Sequence, residues 1–278
     1  MIKIAVIIAC HNRKDKTLSC LNSLYIQNGL NVYFEIKVYL LDDASTDGTS
    51  SAVSSLYPDV VIISGNGHLY WNRGMFVAWK EAMKMRHDCY LWLNDDTYLY
   101  NDAILVMLRC GESTNMRSII CGTVESPLEK GVVTYGGGKI VANRFVPNYP
   151  TGKEELCVLI NGNCVFIPNY VCNLVGNLDW KFTHAIGDHD YGLRAKKMGI
   201  KCYSTGKFVA SCALNPKPPK WCRRDVKFIE RARNLYSPLG YNQPILFLLY
   251  EIRHFGYLVA IKHFISIHLR MFFPILWK

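Results

Sequence analysis

Ile2-Lys3-Ile4-Ala5-Val6-Ile7-Ile8-Ala9-Cys10-His11-Asn12-Arg13 is the stretch that decides the fold. From Ile2 to Ala9 the run is apolar at nearly every position and rich in Ile and Val. That suits a strand buried on both faces, not one with a wetted side. Outward from it the same unit repeats. Lys16 to Tyr25 carries Leu18, Leu21, Leu24 and Tyr25 at helical spacing, and Glu35 to Leu41 is a second strand. Ser51 to Leu56 falls in a second helix, and Val60 to Ile63 is a third strand. Met75 to Met85 sets Met75, Ala78, Trp79, Ala82 and Met83 on one helical face before a fourth strand, Cys89 to Leu93. Strands alternating with helices predict an α/β fold, a parallel sheet covered by helices.

After Asn101 the rhythm changes. Arg117 to Val124 and Val132 to Val146 read as strands joined by turns, with Gly136-Gly137-Gly138 as a turn or an acceptor loop. Asn163 to Ile167 is another strand, and Tyr191 to Lys197 a helix ending at Gly199. Asn215-Pro216-Lys217-Pro218-Pro219-Lys220 is a Pro-rich hinge. It divides the chain into a domain over 1–214, with halves 1–100 and 101–214, and a helical C-terminal region over 215–278.

Composition sets limits on this plan. In 278 residues, 50% are hydrophobic and 19% charged, enough to bury a core, so global disorder is excluded. Eleven cysteines form no C-x-x-C pair, which reads as buried thiols in a reducing cytoplasm. No stretch reaches the ~18 uninterrupted apolar residues of a membrane-spanning helix, and the first apolar run is too short for a secretory leader. Of the net charge of +10, most lies from Lys217 onward, where eleven Lys and Arg face only Asp225, Glu230 and Glu251.

Ligands of an open parallel sheet bind at the carboxyl ends of its strands. Here those ends read His11-Asn12-Arg13, Asp42-Asp43-Ala44-Ser45-Thr46-Asp47-Gly48, Ser64-Gly65-Asn66-Gly67 and Asn94-Asp95-Asp96-Thr97. Asp-rich turns also cap helices, and Thr46 or Asp47 fits that role. Adjacent carboxylates such as Asp95 and Asp96 repel one another, and a divalent cation is the usual compensation; carboxylate, water and phosphate oxygens suit Mg²⁺ or Mn²⁺. Gly187-Asp188-His189-Asp190 leads into a helix, where the acids serve as N-terminal caps or supply a general base. Tyr70 and Trp71 are core aromatics or a stacking surface, and His184 and His189 structural imidazoles or, for His189, a substrate contact.

The ordered set Ile4–Arg13, Leu40–Gly48, Asn72-Arg73-Gly74, Leu93–Thr97, Asn161-Gly162-Asn163 and Gly187–Arg194 resembles family 2 glycosyltransferases of the GT-A fold, over roughly residues 1–212. That resemblance implies a Rossmann-like, mostly parallel nucleotide-binding sheet and an inverting hexosyl- or deoxyhexosyl-transferase. It implies nucleotide-sugar contacts from His11, Asn12, Arg13, Asp42, Asp43, Asn72, Arg73, Asn94 and Asp95, with Mg²⁺ or Mn²⁺ on Asp96 and Asp95. Asp188 becomes the general base, and Asn161, Gly162, Asn163, His189 and Asp190 fall on the acceptor or donor-sugar side. The chain departs from the pattern in four places. Ala9 replaces a common Pro, Asn94 the first Asp of the metal motif, and Gly187 the acidic neighbour of the base. Ala210-Ser211-Cys212-Ala213 carries a Cys where a metal-binding His is frequent.

The C-terminal stretch 243–278 places Lys262, Ser266 and Arg270 on one helical face beside His263, with Leu258, Ile261, Ile265, Leu269 and Phe272 on the other side. A basic amphipathic helix lies on an anionic membrane surface, or docks on the catalytic domain or another subunit. The first choice suits a glycan or lipid-linked acceptor at the inner face of a bacterial cell membrane, in surface-polysaccharide assembly. A sugar nucleotidyltransferase is the alternative enzyme, but His11-Asn12-Arg13-Lys14 lacks the glycines of a triphosphate loop. A non-catalytic anionic-surface or nucleic-acid module is the alternative outside enzymes. Nucleic acid is not expected as a partner, because the tail pairs its basic residues with aliphatics and not with exposed aromatics.

Overall fold

The computed structural model describes residues 1–141, 144–214, 219–240 and 243–276. The opening run forms β1 (Ile2–Cys10), followed by α1 (Lys14–Tyr25), β2 (Phe34–Asp42), α2 (Thr49–Leu56), β3 (Val61–Ser64), α3 (Tyr70–Ala82) and β4 (Cys89–Leu93). The four strands are parallel and lie in the order β3-β2-β1-β4. Successive side chains of a strand point to opposite faces. Ile4, Val6 and Ile8 therefore join one core with Leu21 and Leu24 of α1, while Ala5 and Ile7 join another with Met75, Ala78 and Trp79 of α3.

The second half continues the same sheet. It adds β5 (Tyr98–Leu99), α4 (Ala103–Ser113), β6 (Ile119–Glu125), β7 (Val133–Tyr135), β8 (Gly138–Val141), β9 (Arg144–Pro147), β10 (Glu155–Cys157), β11 (Cys164–Pro168), α5 (Asn169–Val175), α6 (Gly187–Lys197) and β12 (Cys202–Ser211). β11 runs antiparallel between β4 and β6, and β12 runs parallel to β6. β1 to β4, β6 and β12 thus all end at one edge of the sheet, and the antiparallel β11 begins there. This brings residues 161–163 beside the end of β4.

Two helices begin earlier than hydrophobic spacing predicts. α3 starts at Tyr70 and α6 at Gly187, because their polar first turns carry no apolar stripe. The expected turn at Gly136–Gly138 connects β7 to β8, with Gly136 at φ 149°. Gly138 already belongs to β8, and a Cβ on Gly137 would lie 2.6 Å from both Cys157 Sγ and Ser204 Oγ. This is a tight packing point.

The expected hinge residues 215–218 lie outside the described residues, as do 277 and 278 at the end of the expected tail. Beyond them come α7 (Phe228–Leu235), α8 (Pro244–Phe255) and α9 (Tyr257–Phe272). Trp221, Cys222, Leu235, Ile267 and Met271 make a small core of their own, while Tyr250 of α8 packs with Phe182, Ile186 and Leu193 of the sheet-bearing part. α9 buries Ala260, Ile267 and Met271. The apolar set Leu258, Ile261, Ile265, Leu269 and Phe272 faces solvent, Leu258 at 88% exposure. Among the described residues no helix is long and apolar enough to cross a membrane. All eleven cysteines are free and buried.

Candidate active site

At the end of β1, Asn12 takes a left-handed backbone conformation (φ 50°). Its side-chain oxygen accepts from Thr46 N–H at 2.7 Å, and its own N–H donates to Ser45 Oγ at 2.9 Å. His11 Nδ1 donates to the Asp43 carbonyl at 2.6 Å. These contacts lock the first turn onto the second. Asp42 accepts from Ser45 N–H at 2.8 Å and from the Ser50 hydroxyl. Asp43 accepts from the N–H groups of Gly67 (2.7 Å), Leu69 (2.9 Å) and Tyr70 (3.0 Å), holding the positive end of α3 against β2. Both acids are buried with every carboxylate oxygen engaged inside the protein.

The turn after β4 differs. Asp95 is buried, and its Oδ2 has no hydrogen-bond partner. Burial pushes its carboxyl up to about 6; Arg13 opposes that rise and Asp96 adds to it. Arg13 bridges the two acids, 3.1 Å from Asp95 Oδ1 and 2.9 Å from Asp96 Oδ2, and Lys16 Nζ lies 3.7 Å from Asp96. Asp96 Oδ1 faces Cys212 Sγ at 3.8 Å. Burial foremost, with the Asp96 charge, raises that thiol to about 11, so it stays protonated.

Asp188 lies in the first turn of α6. Its Oδ2 accepts from Gly162 N–H and its Oδ1 from His189 N–H, each at 2.8 Å, which fixes the plane of the carboxylate. The ring of Trp71 also packs against Gly162. A Cβ there would lie 2.5 Å from the indole and 3.4 Å from Asp188 Cβ. Trp71 Nε1 donates to Asn94 Oδ1 at 2.7 Å, and Asn94 N–H donates to the Asn163 carbonyl at 2.9 Å. One unbroken set of contacts therefore joins the Asn94–Asp96 turn to Asp188. Asn161 Oδ1 accepts from Asn163 N–H at 3.1 Å, and Asn163 Nδ2 lies 3.6 Å from Cys212 Sγ.

Asn72 is buried, and its amide donates to the Asp179 and Phe182 carbonyls, each at 2.8 Å. A Cβ on residue 187 would meet Asn72 Oδ1 at 1.7 Å, which is the steric reason for glycine at 187 in place of an acid. Arg73 donates to the Trp180 carbonyl at 3.0 Å and stacks over that indole. Trp71 is a connecting residue, neither plain core nor an open stacking face. His184, with Nδ1 3.4 Å from Trp71 N, lies in the same group; burial first, and Arg13 second, lower its pKa below 6.5.

Asp190 does not join the crevice. It is fully buried and paired with Arg194, Arg253 and His254. Lys16 enters the site without having been expected in it, while Cys212 stands where the resemblance put a metal-binding His, and His184 was read as a structural imidazole. The signal for Lys16 was its spacing, three residues after Arg13.

For a divalent cation, the oxygens not used elsewhere are Asp95 Oδ2 and the face of Asp96 Oδ1. Two carboxylates fit a hard ion that completes its shell from diphosphate and water. Among the described residues no group of three His, Cys, Asp or Glu side chains stands ready to hold a metal without such a ligand.

The family profile described as Glycosyl transferase family 2 matches residues 5–166, more than half the chain. The chain belongs to that family. Similar folds include TarS 1–349 of S. aureus, at 14% identity and TM-score 0.57, covering 96% of this chain and 81% of that one. A mannosyltransferase, PcManGT of Pyrobaculum calidifontis, solved with GDP-Man and Mn²⁺, is 14% identical with TM-score 0.57, over 95% of this chain and 75% of its own. TarS 1–349 has also been solved in complex with UDP-GlcNAc. Among curated proteins, none matches the chain in sequence. The fold is GT-A and the protein is a glycosyltransferase. The nucleotidyltransferase and binding-module alternatives are thereby set aside. Asp188 of this glycosyltransferase lies beyond the matched residues.

Proposed function

We propose that this glycosyltransferase moves a hexosyl or deoxyhexosyl group, with inversion, from a nucleotide sugar to a hydroxyl of a glycan or lipid-linked glycan in cell-surface polysaccharide synthesis. Residues 1–214 are the catalytic domain. Residues 1–100 hold the donor, with His11, Asn12, Asp42 and Asp43 shaping the nucleotide turn and Arg13, Asn72, Arg73, Asn94 and Asp95 around it; 101–214 meet the acceptor. The observation that supports this best is the contact path Asn94–Trp71–Gly162–Asp188, which sets one fixed carboxylate near a second, acidic turn.

Asp188 takes the proton of the acceptor hydroxyl as that oxygen attacks the anomeric carbon. The bond from that carbon to the diphosphate breaks on the opposite face, and the nucleoside diphosphate leaves with the electron pair. A single base suffices, and it contributes ~10²–10⁴ in rate. Asp96 and Asp95 would hold Mg²⁺ or Mn²⁺, which when bound neutralises charge on the leaving diphosphate. Arg13 and Lys16, already at that turn, offer further positive charge to the diphosphate. Gly162 and Asn163 orient the base and the β4 turn, and Asn161 and His189 border the acceptor.

Residues 215–278 form a region that rests on an anionic membrane at the cytoplasmic face. The solvent-facing Leu258, Ile261, Ile265, Leu269 and Phe272, together with the basic excess beyond Lys217, support this. Two measurements test the proposal. Nucleoside-diphosphate release from a panel of UDP- and GDP-sugars should be seen with one donor in Mn²⁺ or Mg²⁺ and be lost in EDTA; release untouched by EDTA contradicts the metal role. Flotation with phosphatidylglycerol vesicles should fail for the Leu258→Glu, Ile265→Glu double variant. Undiminished flotation contradicts the membrane role.

A further inference from the structure

Asp190 lies two residues after Asp188 on α6 and is fully buried. Its carboxylate accepts from Arg194 Nε at 2.8 Å, Arg253 Nη1 at 2.6 Å and His254 Nε2 at 2.9 Å. Arg194 sits four residues on in the same helix, so a neutralising partner is already at hand. Arg253 does something else. It belongs to α8, and its second nitrogen donates to Asp179 Oδ2 at 2.7 Å. One guanidinium thus ties together Asp179 and Asp190, which flank the irregular segment leading into Asp188.

That segment is gripped from the crevice side too. Asn72 donates to the carbonyls of Asp179 and Phe182, and Gly187 lies against its side chain. Between these holds, Ile186 takes a left-handed backbone (φ 75°), a conformation β-branched residues adopt only when their surroundings enforce it. Arg253 stacks over Phe182 at 5.6 Å, and Tyr250 of α8 packs on Phe182 and Ile186. Lys197, at the far end of α6, donates to the Arg253 carbonyl at 2.5 Å. Burial pushes the Asp190 carboxyl up, but hydrogen bonds from His254 and Arg194, helped by Arg253, hold it below its ordinary range. The carboxylate is ionised and its bonds are directional, as a rigid tie requires.

We propose that Arg253 is a positioning residue: by bridging Asp190 and Asp179 it fixes the turn that aims the Asp188 carboxylate, so the C-terminal region sets the turnover number. This rests on Asp188 being the base. Arg253 acts through the 179–188 segment, and a small displacement of a reacting group costs rate far more than it costs binding.

The test uses the full chain as wild type, Arg253→Ala, Arg253→Lys and Asp188→Asn. It combines kcat and donor KM, for the nucleotide sugar found in the panel, with hydrogen–deuterium exchange of the backbone amides. Arg253→Ala should lower kcat about tenfold with donor KM within about twofold, and speed exchange over 179–190 while α1 and α3 keep their protection. Arg253→Lys, which can keep one of the two contacts, should fall between. Unchanged exchange over 179–190, unchanged kcat, or faster exchange across the whole sheet overturns the proposal. If Asp188→Asn turns over like the wild type, it is the base assignment that fails, and exchange over 179–190 still judges the bridge.

Discussion

The turn after β2 and the turn after β4 each carry two adjacent aspartates, yet the structure uses them in opposite ways. Asp42 and Asp43 spend their oxygens on Ser45, Ser50, Gly67, Leu69 and Tyr70. Asp95 keeps one buried oxygen without a partner, and Asp96 meets the half-exposed cationic side chains of Arg13 and Lys16 and the Cys212 thiol. Satisfied carboxylates build architecture; unsatisfied ones, held close despite repulsion, are available for a ligand. Asp188 and Asp190, on one turn of α6, differ in another way: Asp188 is held by two backbone N–H groups beside the β4 turn, Asp190 by side chains of α6 and α8.

The contrast can be broken first at Asp96. Asp96→Asn should lower metal-dependent turnover by ~10²–10³ while the melting temperature barely moves, since its pairs with Arg13 and Lys16 are partly solvated. A large loss of melting temperature with full turnover would reverse the roles of the two turns. Asp43→Asn should do the opposite. An amide has one acceptor oxygen for three N–H donors, so denaturant unfolding should show a loss of about 2–4 kcal/mol, with the metal requirement of any remaining activity unchanged.

Trp71→Phe sharpens the link between the turns and the base. It removes the hydrogen bond to Asn94, at a cost of about 1–2 kcal/mol in unfolding free energy, and should lower kcat more than it raises donor KM. Equal effects on both would mark the indole as a binding group only. His184 gives the smallest effect. Burial holds it neutral in the fold, so the unfolded chain takes up a proton below pH 6.5 that the folded chain resists. Stability is therefore lost as pH falls below 6.5 toward its lowered folded value, and His184→Gln should flatten the wild-type fall in melting temperature over that window. An unchanged slope would show that the imidazole is not held neutral.

A parallel sheet covered on both faces was legible because β1 is apolar on both sides, and only two covering helical layers satisfy that; the order β3-β2-β1-β4 came from the structure. The first turns of α3 and α6 were not, since Tyr70–Arg73 and Gly187–Asp190 carry site and anchoring residues where periodicity looks for an apolar stripe. Asp42 and Asp43 looked like Asp95 and Asp96 because the difference lies in the 65–70 loop, which reaches Asp43 but not β4. Asp190 belongs with Arg253, sixty-three residues away, and no local pattern encodes that pairing. In the tail, spacing showed which face of α9 is apolar. It did not show that Ala260, Ile267 and Met271, on another side, would be the ones covered.

The most direct test of the account is turnover of Asp188→Asn, with nucleoside-diphosphate affinity measured on the same preparation. The predicted result is a loss of ~10²–10⁴ in kcat with affinity for the nucleoside diphosphate retained. Full turnover of Asp188→Asn with a defined acceptor would contradict the assignment of the base and the mechanism built on it.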